Sequence, residues 1–274
     1  MLFDVHTHTT SSHDGKSTPF EMCEAAIEKG IKVLAFTEHW DAFETYISGM
    51  LDDDGRCVAF RENELHDSFF EAKERYGDRL TLLYGIEFGE PSLKPTEAKE
   101  LVARQKFDMI MGSVHVLDGD MDIIPYAASG ASAEEIMDKY LDREIAMAKM
   151  CIADSLSHLD YPLRYVKVAP GEKLSLLPYR ERVRELLRIT AQNGMALEIN
   201  GAGLVKATKC VGPEKWVIED YLSFGGQYIT FGSDAHLAQD LLRGYNESMA
   251  LAREAGVKYA VYFKERRPHP FRID

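Results

Sequence analysis

Short apolar runs that stop at a histidine, aspartate or glutamate, alternating with longer helical patterns, set the tightest limit on what this chain can fold into. An apolar N-terminal segment ends in Asp4-Val5-His6-Thr7-His8, Val33–Phe36 leads into Thr37-Glu38-His39, and Leu80–Tyr84 closes on Gly85-Ile86-Glu87. Asp108–Met111 runs into Gly112-Ser113-Val114-His115, Ser155-Leu156 into Ser157-His158, and Tyr228–Phe231 into Gly232-Ser233-Asp234-Ala235-His236. Two more strands are expected at Met195–Asn200 and near Lys258–Phe263. Strands alternating with helices along one chain imply a parallel sheet, with right-handed crossovers placing the helices outside it. Functional groups in such folds gather at the carboxyl ends of the strands. A barrel brings six or seven such ends to one rim, whereas an open sheet spreads them along a line, so the expected fold is an α/β barrel rather than a doubly wound sheet.

His6 and His8 stand at i and i+2. In an extended strand alternate side chains share a face, so the two imidazoles can converge on one point beyond the strand end, as a metal requires. Asp234 and His236 repeat the spacing. One His-x-His pair also occurs on ordinary surface strands, and Asp14-Gly15 and Asp234 would equally suit turns or caps. Glu38 is as plausible a carboxylate as Glu87 when each is taken alone. The recurrence of ligand-type residues at six strand ends is what points to a metal site. His66, within a helix, and His269, between two prolines, lack that setting and read as surface residues.

The first helix is expected from Thr18-Pro19-Phe20-Glu21, with Thr18 as N-cap, proline at the first helical position and Glu21 completing a capping box, to Gly30. Others are expected at Phe60–Tyr76, Thr96–Gln105, Ser132–Ala153, Pro178–Asn193, Pro213–Phe224 and Ala238–Gly256.

With 274 residues, 45% of them hydrophobic and 28% charged, the chain can bury a core large enough for one barrel or two smaller domains. No repeat or linker interrupts it, so residues 1–274 are read as a single barrel domain. No apolar stretch approaches the roughly 20 residues that span a bilayer, and the N-terminus lacks a secretory pattern, which leads us to expect a cytoplasmic protein with no membrane partner. Cys23, Cys57, Cys151 and Cys210 are scattered without a C-x-x-C, so neither a disulfide framework nor a thiolate zinc site is indicated. A net charge of −13 argues against nucleic acid as a partner. It does not exclude a small phosphate, because bound cations would outweigh distant surface charge in a pocket.

The set His6-x-His8, Asp14-Gly15, Thr37-Glu38-His39, Gly85-Ile86-Glu87, Gly112-Ser113-Val114-His115, Ser157-His158-Leu159-Asp160 and Gly232-Ser233-Asp234-Ala235-His236 resembles the PHP (polymerase and histidinol phosphatase) superfamily over nearly the whole chain. His158-Leu159-Asp160 with Arg164-Tyr165, the run Glu198–Leu204 and the tail Tyr262–Pro268 are similar to its histidinol-phosphatase branch. The resemblance implies a distorted (β/α)7 TIM-like barrel and a centre of three divalent metal ions. His6, His8, Glu87 and Asp234 would hold the first, with Glu87 bridging to a second on His115 and His158, and Asp14, His39 and His236 would hold the third. Many relatives have His where this chain has Asp14, and His13 is adjacent; Asp14 is preferred because it lies six residues beyond His8, the family's interval. Donors of this kind suit zinc, iron or manganese.

The activity implied is that of a metal-dependent phosphomonoesterase, with L-histidinol phosphate as the expected substrate and Glu87 and Asp234 as scaffold for the attacking hydroxide. The oligomeric state is left open. A related phosphoesterase acting on another small phosphorylated metabolite or a nucleotide is the alternative, and a metal-binding module without turnover comes last. Arg164 can pair two phosphate oxygens in a planar fork or serve a surface salt bridge. Asn200 can orient a ligand histidine or the substrate, or cap the next helix. After Gly203-Leu204 the branch usually continues with a basic residue and a Tyr-Pro segment; here Val205–Pro213 intervenes, and Lys206 is expected to take over part of that role. Phe43–Asn63, with Asp52-Asp53-Asp54-Gly55, is long for a connection and is expected to form a lid or a substrate-facing wall.

Overall fold

In the computed structural model, the residues described are 1–43, 47–51, 57–59, 62–167 and 173–273. Among these residues seven strands run parallel: β1 (Phe3–Asp4), β2 (Val33–Ala42), β3 (Thr81–Gly89), β4 (Met109–Ser113), β5 (Ser155–Leu156), β6 (Ala196–Asn200) and β7 (Ile229–Gly232). They pair in chain order, β1 with β2 and so on through β6 with β7. The ring then closes. Val5 N–H donates to Phe231 O at 3.1 Å, Asp234 N–H to His6 O at 2.9 Å and His8 N–H to Ala235 O at 2.9 Å, joining the extension of β1 to β7. Both faces of these strands are covered, which is why β2 is buried along its whole length and why the runs read as nearly continuous apolar sequence.

Outside lie α1 (Pro19–Glu28), α2 (Glu62–Tyr76), α3 (Pro95–Arg104), α4 (Ile123–Ala128), α5 (Ala133–Ala148), α6 (Arg180–Gln192), α7 (Lys215–Ser223) and α8 (Tyr245–Glu254). The capping box at α1 forms: Glu21 N–H donates to Thr18 Oγ1 at 3.2 Å and Thr18 N–H to Glu21 Oε2 at 2.7 Å. Two helices fall short of expectation by more than a turn at one end. α5 stops at Ala148 instead of Ala153, and Cys151 follows in the left-handed region at φ 57°. The stretch expected to be helical from Ala238 has only a 3₁₀ turn at Ala238–Asp240; left-handed Leu242 and Gly244 delay α8 to Tyr245. Helix α4 and the small hairpin before it, Val116–Leu117 with Met121–Asp122, were not foreseen.

The strand expected near Lys258–Phe263 is β8 (Tyr259–Lys264), which stands outside the ring. It pairs with β7 through Ile229 and Ala260 and turns back as β9 (Arg267–Arg272). The hairpin tip crosses the amino-terminal end of the barrel, where the N–H groups of Glu265 and Arg266 donate to Asp108 and the Arg266 guanidinium donates to Asp154. Of the long connection Phe43–Asn63, the chain makes strands at Ile47–Leu51 and Cys57–Ala59. The acidic run Asp52-Asp53-Asp54-Gly55 lies outside the described residues, as does Phe60 at the expected start of α2.

Candidate metal centre

At the carboxyl end of the barrel, Glu87 sits in the middle of five imidazoles delivered by four different parts of the ring. Its Oε2 is 3.3 Å from His6 Nε2, 3.5 Å from His8 Nε2 and 3.0 Å from His39 Nδ1; its Oε1 is 2.6 Å from His158 Nε2 and 3.1 Å from His115 Nε2. Asp234 Oδ1 is 3.8 Å from His6 Nε2 and 3.5 Å from His8 Nε2. On the outer side, Asp14 Oδ2 is 2.8 Å from His236 Nε2 and Asp14 Oδ1 is 3.5 Å from His39 Nε2. All nine residues expected as ligands therefore meet at one place. His13 borders the cluster, with Nδ1 3.9 Å from Asp14 Oδ1 and its ring centre 5.5 Å from that of His39.

The donor set suits cations on an observation independent of the motifs. His6 Nε2, His8 Nε2, His39 Nδ1 and Glu87 Oε2 are all buried and, close as they are, none has a hydrogen-bond partner. Groups left this way cost free energy unless something else engages their lone pairs. The atoms fall into overlapping triads, such as His6, His8 and Glu87, or His39, Glu87 and His115, whose members lie within 4.8 Å of one another. His39 stands between Glu87 and Asp14, so it borders two of these groups.

Electrostatics point the same way. Burial by itself favours the neutral acid at Glu87, yet His6, His115, His158 and His39 hold its carboxyl well below the usual range. Burial pushes His6 down, and Glu198, Glu87 and Asp234 overcome it, carrying His6 well above its ordinary value. His8 goes the other way: burial and then the neighbouring His39 and His236 depress it strongly. These carboxylates demand positive charge, and a cation would compete with protons for the same imidazole lone pairs.

Around the cluster lies a set of supporting residues, of which the sequence singled out Glu38 but not Glu198, Asp41 or Glu90. Glu198 on β6 takes His6 Nδ1 at 2.7 Å and accepts the His158 N–H at 2.7 Å. Its signal was present: Glu198 and Asn200 form another i, i+2 polar pair at a strand end. Gly232 permits this approach, since a Cβ there would lie 2.2 Å from Glu198 Oε1 and 2.3 Å from His6 Cβ. Asp41 lies 3.3 Å from His115 Nδ1, and Glu90 accepts the backbone N–H groups of His115 and Val116. Glu38 faces away from the cluster. It accepts from Thr9 and Ser12, and Ser12 Oγ in turn lies 3.3 Å from His8 Nδ1.

Arg164 is neither a surface residue nor a free one. Only 4% exposed, it donates from Nη2 to Asn200 Oδ1 at 2.8 Å and from Nη1 to Asp234 Oδ2 at 3.2 Å. Asn200 Oδ1 also accepts the Ala202 N–H in the turn after β6, the expected capping contact, while its Nδ2 donates to Glu198. Lys206 holds its ammonium 5.6 Å from the centre of the Tyr165 ring. All of this opens into a cavity of about 770 Å³, lined in part by Arg164, Lys206 and Arg243 and, elsewhere, by Asp122 and Tyr161. His66 and His269 are exposed on the outer surface.

A closed seven-stranded parallel barrel whose strand ends gather histidines and carboxylates is a barrel of metal-binding chemistry. The chain belongs to the PHP domain family, whose model matches residues 4–202. It is 29% identical to the "Probable histidinol-phosphatase" of Thermotoga maritima over 258 residues, covering 94% of each chain. To the histidinol-phosphatase of Lactococcus lactis it is 26% identical, covering 92% of this chain and 91% of the relative. Its fold matches the crystal structure of the L. lactis histidinol phosphate phosphatase complexed with zinc, L-histidinol and phosphate, with a TM-score of 0.84 at 22% identity and 98% of both chains covered. Among the described residues, no helix is long and apolar enough to cross a membrane.

Proposed function

We propose that this chain is a metal-dependent phosphomonoesterase whose substrate is L-histidinol phosphate, released as L-histidinol and phosphate. The observation that carries this reading is the placement of Glu87: a buried carboxylate shared by five imidazoles, under a cavity with cationic side chains in its wall. The names of the relatives from T. maritima and L. lactis support the choice of ester. Residues 1–274 act as one barrel unit. His6, His8, Glu87 and Asp234 would hold one divalent ion, Glu87 with His115 and His158 a second, and Asp14, His39 and His236 a third. Nitrogen and oxygen donors without thiolate suit zinc, iron or manganese.

When bound, such ions supply the positive charge and Lewis acidity that ester hydrolysis needs near neutral pH. The protein's residues contribute orientation and charge. Glu198 fixes the His6 ring by engaging Nδ1, which turns Nε2 toward the cluster. Arg164, held by Asn200, places permanent positive charge beside Asp234, where a phosphoryl dianion would otherwise meet a bare carboxylate. Phosphate release should be measured with histidinol phosphate against sugar phosphates and nucleotides, with zinc, iron or manganese supplied. We expect histidinol phosphate to be strongly preferred. Preference for another monoester replaces the substrate and leaves the centre standing; no release from any ester by a fully metallated protein favours a non-catalytic metal-binding module.

A further inference from the structure

The cavity wall contains a cation that no motif pointed to. Arg243 lies between β7 and α8, in the segment that departs most from the expected helix. Its backbone is held under unusual constraint. Leu242, just before it, is left-handed at φ 64°, a conformation that a residue with a large side chain rarely adopts, and Gly244, just after it, is left-handed at φ 76°. The strained turn is pinned from β1, where Asp4 Oδ2 accepts the Leu242 N–H at 2.9 Å while Asp4 Oδ1 accepts that of Ser233. It is pinned again from above, because the Arg243 carbonyl sits so close to Gly201 that a Cβ there would lie 1.9 Å from it. Strain maintained by this many contacts is the kind that accumulates where a side chain must be delivered to a site.

The side chain delivered is a guanidinium in the cavity wall, and its own backbone carbonyl packs against Gly201, just beyond the end of β6, the strand that carries Asn200 and, through it, Arg164. Arg164 is committed to Asn200 and Asp234, and Lys206 lies over Tyr165. Arg243 is instead ion-paired with Asp240 three residues earlier, both side chains about one-fifth exposed at the cavity. A guanidinium matches phosphate in a planar fork that a carboxylate on the same chain can hold ready and then yield.

We propose that Arg243 is a substrate-binding residue that engages the non-bridging oxygens of the phosphoryl group, exchanging Asp240 for the ester. This rests on the phosphomonoesterase reading above. The rival role is a purely structural pair that ties down residues 240–243, and the two partners distinguish the possibilities because they should act in opposite senses. Arg243→Ala is expected to raise KM for the preferred ester, and Ki for inorganic phosphate, by about tenfold or more, with metal content retained and kcat changed much less. Asp240→Asn, which removes charge that repels the ester, is expected to leave both constants unchanged or lower. Arg243→Lys, which keeps the charge without the fork, is expected to fall between Arg243→Ala and wild type and serves if the alanine variant does not fold. Unchanged KM and Ki in Arg243→Ala, a parallel rise in both variants, or a wild-type Ki in Arg243→Lys would overturn the proposal. A wild-type protein that hydrolyses no ester would instead sink the reading on which it rests.

Discussion

His6 has its coordination chemistry set by a neighbour 192 positions away in the chain, because the 2.7 Å contact from Nδ1 to Glu198 decides which ring nitrogen faces the cluster. Glu198→Gln keeps the shape and removes the charge that fixes the ring. We expect metal affinity to fall by about 10- to 100-fold, read by competition with a chelator, with the fold intact by circular dichroism. Unaltered affinity would show that Glu198 serves the His158 backbone alone. At this scale the sequence disclosed the residues that converge, since i, i+2 spacing at strand ends is visible in one dimension. It did not disclose their supports. Asp41 and Glu90 belong to neighbouring strand ends and meet His115 only after the sheet has curled, and Glu38 carries the same local signal as Glu87 while pointing at Thr9 and Ser12.

Helix α5 carries a carboxylate on its buried face: Glu144 is fully enclosed, with Tyr140 as its polar neighbour, and burial pushes its carboxyl up to about 8. The group is thus neutral in the folded protein at neutral pH but ionised once unfolded. Its favourable contribution is complete below the unfolded value, near 4.5, and is lost as pH rises through about 8. Glu144→Gln should therefore be increasingly more stable than wild type between pH 5 and pH 8, by a few kcal/mol at most, in paired thermal melts. A constant difference across that range would contradict the buried acid. The helices themselves were legible wherever caps and apolar period agreed, as at α1. They were misjudged where single left-handed residues, Cys151 and Leu242, end or delay a helix, because nothing in a cysteine or a leucine announces a positive φ.

The whole ring has two unlike ends. Its carboxyl end holds the cluster and the cavity, while the β8–β9 hairpin lies across the other, with Arg266 anchored on Asp154 and the Ile152 carbonyl. Arg266→Ala should leave Asp154 uncompensated and lower unfolding stability by about 2–3 kcal/mol in denaturant titration, with no change in metal uptake. Loss of metal uptake would mean that the two ends are coupled. The barrel was legible from the alternation of strands and helices, but the hairpin was not: β8 reads like any other barrel strand, and only the packing of its tip shows that it caps the ring instead of joining it.

The seam of the barrel lies between the first strand and the seventh, so His6 and His8 acquire their surroundings only when Phe231 to His236 arrive beside them. During vectorial synthesis on a ribosome, the histidines that emerge first must wait, unpaired with their neighbours, until more than 200 further residues have left the tunnel. Assembly of the cluster is thus a late event that reports on the completeness of the chain, and a polypeptide released before that seam is shut carries most of the donors without the place that gathers them.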